Sequence, residues 1–225
     1  AKDENGTILW SWHIWLTDQP QEHIYNNDAG TMMDRNLGST SATMGDVGAL
    51  GLLYQWGRKD PFLGSSSISD NVEATSTITW PSPITTETSS TEYGRSSIEY
   101  TISHPTTFIT SKRYGSGKEL HDWYLGEKER WTTSDVTKSI YDPCPVGWRV
   151  PDEGENGVWA KALGASSAFE LESLFDTNNK GCNFSGKFGN DATIWYPASG
   201  YRCWRQEKVD VAGGALYGVG NYGCY

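Results

Sequence analysis

Asp142-Pro-Cys-Pro-Val-Gly-Trp-Arg-Val-Pro151 is the least generic stretch of the chain. Pro143 and Pro145 fix φ, lack an N–H and push their preceding residues towards extended geometry. Val146-Gly147 reads as a turn, Trp148-Arg149-Val150 as a short strand, and Pro151 as its stop. The segment is therefore a stiff, non-helical hinge leading into the helical residues beyond it, with Trp148 expected in the core. No known catalytic scheme requires such a sequence, so its role is structural.

The rest of the chain agrees with a loop-rich fold. Hydrophobic residues are only 36% of the 225 residues, yet 11 Trp and 12 Tyr are present, so the core must be largely aromatic. The 25 Gly favour turns and short strands over long helices. A formal net charge of −10 without a basic cluster argues against nucleic acid as a partner. No apolar run reaches the roughly 20 residues of a membrane helix, and no signal peptide is visible.

Thr7 to Thr17 alternates, with Ile8, Trp10, Trp12, Ile14 and Leu16 on one side and Leu9, Ser11, His13, Trp15 and Thr17 on the other. This period predicts a strand buried on both faces, with Trp10 and Trp12 structural. Asn5-Gly6 just before it is a hairpin signal, and only Ala1-Lys2 precede its turn, so the partner strand is expected upstream. Thr31–Leu37 predicts another strand, and Gly48–Gly57 is an apolar run open to a short buried helix or a strand, with helix favoured because Leu52, Leu53 and Trp56 share a helical face. Residues 65–137 form a Ser/Thr-rich insertion of loops and small strands, not a second core. After Pro151, Val158, Trp159, Ala162 and Leu163 share a helical face. Ser167–Glu170 is a capping box for a second piece bearing Leu171, Leu174 and Phe175. Short strands follow at Asn183–Phe188, Thr193–Tyr196, Gly200–Trp204 and Ala215–Tyr217, and the last residues, 222–225, look like a strand cut short.

The familiar motifs dissolve on inspection. Gly218-Val-Gly-Asn-Tyr-Gly223 lacks the following helix that a dinucleotide fingerprint needs, so it reads as glycine-rich turns. Asp176–Gly181 resembles a calcium loop but places Lys180 and Lys187 at ligand positions, so it reads as a turn ending a helix. His13 reads as a hydrogen-bonded core histidine, and His121-Asp122 as a solvated loop. Asp18, Asp34, Asp46, Asp60 and Asp142 sit where turn and cap chemistry is expected, rather than as a glycosidase pair. Cys144, Cys182, Cys203 and Cys224 lack zinc spacing and leave two choices open, a pair of disulfides of unknown connectivity or buried thiols. No metal, cofactor or catalytic set is expected. Aromatic residues in loops are the better functional hint, because rings stack on sugars and anchor protein contacts.

Four segments taken together resemble a known family: Ile8–Trp15, Met33-Asp-Arg-Asn-Leu-Gly38, Leu53-Tyr-Gln-Trp-Gly-Arg-Lys-Asp-Pro-Phe62 and Asp142–Pro151. Trp195-Tyr-Pro-Ala-Ser-Gly-Tyr-Arg202 is a fifth. The set is similar to the FISUMP-type major paralogous domain of Bacteroidetes surface proteins, often found C-terminal to fimbrillin-like domains. It covers most of the chain outside 65–137. The resemblance implies an α+β, C-type-lectin-like fold of short twisted antiparallel strands, one or two helices and long loops. Residues 1–225 would form one such domain, truncated at both ends, since related sequences have further strands on either side. The fold is shared with formylglycine-generating oxidases, whose copper-binding cysteine pattern does not map onto Cys182, Cys203 or Cys224. The implied function is non-enzymatic adhesion or ligand recognition at a fimbrial tip or on a surface lipoprotein, outside the outer membrane. Its partners would be a glycan or protein ligand and the upstream domains of the same protein. Trp80, Trp123 and Tyr124 in the insertion, and Tyr201, Arg202 and Trp204, are the candidate ligand contacts. The alternatives are a carbohydrate-active enzyme using loop carboxylates, or a structural domain packed on its neighbours.

Overall fold

Asn26-Asn-Asp-Ala29 closes the first hairpin because Asn27 and Asp28 adopt positive φ of 60° and 51°, a conformation these two residue types tolerate. The flanking strands, β1 (Glu22–Tyr25) and β2 (Gly30–Met33), pair antiparallel with Tyr25 opposite Gly30. Alternation puts His23 and Tyr25 inside and Glu22 and Ile24 outside. A computed structural model describes residues 1–74, 85–88, 98–110, 123–124, 130–132, 137–152, 154–164, 174–184, 194–203 and 214–222. Trp80, His121, the Ser167–Glu170 capping box, Leu171, Lys187, Trp204 and Cys224 lie outside those residues.

The described residues form a mixed fold of small strands with two short helices, consistent with the α+β class. After β2 come β3 (Leu53–Tyr54), β4 (Pro61–Phe62), β5 (Thr85–Thr88), α1 (Ile98–Ser103) and β6 (Thr107–Thr110). Then follow α2 (Val158–Leu163), β7 (Phe175–Asp176), β8 (Gly181–Asn183), β9 (Trp195–Pro197), β10 (Tyr201–Arg202) and β11 (Leu216–Tyr217). Most strands join in antiparallel pairs, with β7-β8-β9 as a three-stranded sheet. The exception is β5 with β6, which run parallel, so the expectation of antiparallel strands throughout is corrected there.

The core is built where α2 meets the β1–β2 hairpin and the β7-β8-β9 sheet. Gly157 caps α2 at its start, and Gly164 ends it at φ 63°, where a side chain would be strained. The predicted face holds: Ala162 is buried, and Val158, Trp159 and Leu163 pack on Tyr25, Phe184 and Tyr196. Trp159 stacks on Phe184 at 4.8 Å and donates its indole N–H to Tyr25 Oη at 3.2 Å. Tyr196 donates its hydroxyl to Met33 O at 2.6 Å, tying this sheet to β2.

A second nucleus forms around β3 and β4. Arg58 is 2% exposed and donates to Gln55 Oε1 and to the carbonyls of Thr107, Thr101, His104 and Pro105. Burial pushes its pKa down to about 10, against the pull of the Asp60 charge. Phe62 meets Phe108 edge to face at 5.2 Å. Part of the 65–137 stretch is thereby fastened to the body, and Phe108, Ile109 and Trp123 are buried in it.

Indole N–H groups do work that longer ladders do elsewhere. Trp15 donates to Ser39 O at 2.8 Å, Trp123 to Trp56 O at 2.7 Å and Trp131 to Arg58 O at 3.0 Å. Each satisfies a loop carbonyl that no neighbouring strand reaches.

Several expectations are corrected. Of the two readings of Gly48–Gly57, the favoured helix is corrected and the strand holds in part: Asp46 caps a single 3-10 turn at Val47–Ala49, Gly51 takes φ 70°, and the chain continues into β3. The predicted Thr31–Leu37 strand stops at Met33, where Asp34 and Arg35 turn inward to pair. Phe175 lies in β7, not in a helix, and Asp176–Gly181 is a hairpin turn rather than a helix end. In that turn Asp176 Oδ1 accepts from the N–H groups of Asn178 and Asn179, and Lys180 takes φ 56°. Gly218 and Gly220 form turns at φ 73° and 78°, as read from sequence.

Thr7–Thr17 departs furthest from expectation. Its hairpin turn exists, with the Gly6 N–H on Asp3 O at 3.1 Å and Asp3 Oδ1 accepting from Asn5 and Thr7. The paired strand is Ala1–Asp3 itself, bridged at Lys2 and Ile8, so no upstream strand is needed for this turn. From Ser11 to Thr17 the chain belongs to no sheet, helix or turn. Trp10 is half-buried between Lys59 Nζ (4.5 Å) and Tyr141 (6.4 Å), whereas Trp12 is 69% exposed and not in the core. His13 is likewise exposed, with Tyr54 Oη 3.4 Å from its Nδ1.

The Asp142–Pro151 hinge is held by one carboxylate. Asp142 Oδ1 accepts from the Cys144 N–H at 2.8 Å and Oδ2 from the Val150 N–H at 2.9 Å, clamping both ends of the loop. Lys138 Nζ lies 2.6 Å from Oδ1. The Trp148 N–H closes a turn onto Pro145 O at 3.0 Å, with Gly147 at φ 88°. Trp148–Val150 is not a strand, and Trp148 is half-buried rather than in the core.

Candidate functional site

The sequence places Tyr201 and Tyr217 on β10 and β11, and the register sets them directly opposite each other. Their rings meet edge to face at 5.7 Å. Gly218 then turns at φ 73°, and the Tyr222 N–H returns to Gly218 O at 2.9 Å. A Cβ on Gly218 would come within 2.5 Å of the Tyr222 ring, so glycine is required for the ring to fold back. Tyr222 thereby packs edge to face on Tyr201 at 6.0 Å while remaining 49% exposed. The outcome is a tyrosine platform open to solvent on the Tyr222 side.

A hydroxyl-rich loop borders it. Asn71 Oδ1 accepts the Val219 N–H at 3.0 Å, and the backbone at Ile68 and Ser69 packs against Gly220 too closely for a Cβ. Ser67 and Ser69 both donate to Asp70 Oδ2. Aromatic faces beside hydroxyl, amide and carboxylate groups suit the alternating apolar and polar surface of a sugar, or a peptide side chain.

Arg202, beside Tyr201, works beneath this surface. It is 7% exposed and donates to Leu63 O, Gly214 O and Glu73 Oε1. The expectation that Arg202 contacts ligand is corrected: its guanidinium holds β10 onto the β4 and β11 loops. Trp123 is also withdrawn, being 3% exposed with its indole N–H on Trp56 O. Tyr124 is half-buried beside Trp123 at 5.4 Å and under the Arg130 guanidinium at 5.0 Å. Of the six sequence candidates, Tyr201 alone lies on the platform among the described residues. Tyr217, Tyr222 and Asn71 were not singled out from sequence. The cross-strand register that pairs tyrosine with tyrosine was the missing signal.

The carboxylates are engaged elsewhere. Arg35, with a side chain 4% exposed, bonds Asp34 at 2.8 Å and Asp18 at 2.6 Å, and also Thr17 Oγ1. The hydrogen bond from Arg35 holds the Asp18 carboxyl below the usual carboxylate range, and both aspartates raise the Arg35 pKa. Asp18, Asp34 and Arg35 line an open cleft of about 680 Å³ with Gln21 and Thr40–Met44, but a cation in its wall opposes metal binding. Asp60 binds Lys59 and Ser11, Asp46 caps its 3-10 turn, and Asp142 clamps the hinge. Among the described residues no group of three or more His, Cys, Asp or Glu is placed to hold a metal. Cys144, Cys182 and Cys203 are not cross-linked to one another; Cys182 and Cys203 are buried, and burial pushes the Cys144 thiol up to about 12. Among the described residues no helix is long and apolar enough to cross a membrane. No family model, curated protein or solved structure matches the chain.

Proposed function

We propose that this chain is a non-enzymatic recognition module of C-type-lectin-like architecture that meets a glycan or protein ligand through its tyrosine platform. One observation carries the reading: Tyr201 packs edge to face on both Tyr217 and Tyr222 beside the Ser67–Asn71 loop, and Tyr222 is 49% exposed. The carbohydrate-active alternative is less well supported, because Asp18, Asp34, Asp46, Asp60 and Asp142 already hold internal hydrogen bonds. Display on a cell surface, at a fimbrial tip or on a lipoprotein, follows from the sequence resemblance and is proposed with it.

The test is a glycan array paired with a panel of surface-protein ligands, run with the wild type and with Tyr222→Ala. Loss of one stacking ring predicts about a tenfold weaker interaction. Binding that Tyr222→Ala leaves untouched overturns the platform. A blank array and panel, together with measurable glycan turnover, overturns the non-enzymatic reading.

A further inference from the structure

Arg35 lines the open cleft of about 680 Å³ and divides its guanidinium between two carboxylates in unlike surroundings. Asp34, itself buried, accepts from Nε at 2.8 Å and from Nη2 at 3.0 Å. Asp18 accepts from Nη1 at 2.6 Å and from Nη2 at 3.3 Å, and Thr17 Oγ1 accepts from Nη1 at 3.1 Å. The Asp18 side chain is 72% exposed, and residues 17–19 belong to no strand or helix. A buried cation therefore has one buried counter-ion and one that water reaches. An ion pair with an exposed partner is weak, so this partner can be exchanged for another carboxylate at little cost. Residues 40–44 also line the cleft and hold donors in reserve. Among the described residues, the N–H groups of Ser41, Ala42 and Met44 and the hydroxyls of Thr40 and Thr43 have no hydrogen-bond partner.

We infer that Asp18 stands in for a ligand carboxylate, and that the cleft takes an acidic sugar whose carboxylate replaces Asp18 on Arg35. The guanidinium fork matches a planar carboxylate at two nitrogens, and Asp18 already occupies it in that way. The charge balance selects the ligand class. With Asp18 swung into water, Arg35 and Asp34 remain as a neutral pair, and an incoming carboxylate restores the present balance. A neutral sugar offers Arg35 no charge in return for Asp18, and a cationic ligand meets Arg35 itself. The cleft is far larger than a carboxylate alone and falls within the range of small-molecule pockets. Its spare amides and hydroxyls suit the hydroxylated body of a sugar. Two effects keep the affinity low: the chain carries −10 overall, and Asp18 competes as a tethered carboxylate. The site shares no residue with the tyrosine platform and does not rest on it.

Chemical-shift titration of the isotope-labelled chain with glucuronate, and with glucose as the counterpart lacking the carboxylate, tests the site. The expected dissociation constant for glucuronate is on the order of 1–10 mM, with glucose at least about tenfold weaker. The amides of residues 40–44 and the Arg35 Nε–H should move, and those of Tyr217–Tyr222 should not. Asp18→Asn removes the competing charge from an exposed side chain, so the fold should be retained and glucuronate should bind about tenfold tighter. Arg35→Gln should abolish binding; because Arg35 is buried and its loss can unfold the chain, Asp18→Asn is the deciding variant. Equal binding of glucuronate and glucose overturns the proposal. So does glucuronate binding that Asp18→Asn leaves unchanged or weakens, or shifts confined to Tyr217–Tyr222. No shift with either chain up to about 100 mM glucuronate, a concentration well above the expected constant, also overturns it. Tighter binding of a short peptide through its C-terminal carboxylate than of glucuronate overturns the assignment to a sugar.

Discussion

Asp142→Ala should cost about 2–6 kcal/mol of folding stability. The Asp142 side chain is fully buried and accepts from the Cys144 and Val150 N–H groups at 2.8 and 2.9 Å. Removing it orphans two backbone donors at about 1–3 kcal/mol each. Lys138 adds little, because its side chain is 30% exposed and it keeps the carbonyls of Asp142 and Cys144. Against a total stability of about 5–15 kcal/mol this is a large fraction. At roughly 2–4 °C per kcal/mol for a chain of this size, the melting point should fall by about 10 °C. Asp142→Asn retains one acceptor and should lose about half as much. Urea unfolding followed by tryptophan fluorescence, with slopes compared across variants, measures both losses. A loss below about 1 kcal/mol for Asp142→Ala would refute the reasoning, since it would mean that the loop can turn both amides to water.

Two further outcomes follow from buried cations and bases. Arg58→Ala removes the donors that hold the carbonyls of Thr107, Thr101, His104 and Pro105, so hydrogen-exchange protection across Thr107–Thr110 should drop well before the α2 core opens; unchanged protection there would contradict the anchoring role. His23 is buried, its Nδ1 has no partner among the described residues, and burial holds its pKa below the ordinary value of about 6.5 despite the Asp34 charge. The unfolded chain therefore binds this proton first. Stability is full above pH ~6.5 and falls as pH drops from there towards the native His23 value, before most carboxylates titrate. His23→Gln should reduce this slope, and a stability that stays flat between pH 7 and 5 would contradict the assignment.

What could be read from sequence was local. The α2 face, the Pro145–Trp148 turn and the strands at Trp195–Pro197, Tyr201–Arg202 and Leu216–Tyr217 each depend on neighbours a few residues apart. What could not be read was decided at long range. Period two at Thr7–Thr17 specified an extended chain but not which face would find a cover, and Trp12, Ile14 and Leu16 found none. Arg202 looked like a surface cation beside an aromatic, and only the approach of Leu63 and Gly214 makes it an internal strut. Trp123 was misplaced for the same reason, as its partner is Trp56, 67 residues earlier. The tyrosine platform was half visible, through Tyr201, because its other members depend on cross-strand register.

The indole bonds of Trp15, Trp123 and Trp131 make tryptophan content a matter of geometry as well as oiliness. Each indole rivets one loop to another at a single point, without asking the flanking residues to form a ladder. The three attachment points thus tolerate changes in exposed loop residues beside them better than changes of the indoles themselves. Phenylalanine keeps the bulk at these three positions but not the rivet, and would leave the carbonyls of Ser39, Trp56 and Arg58 without their indole donors.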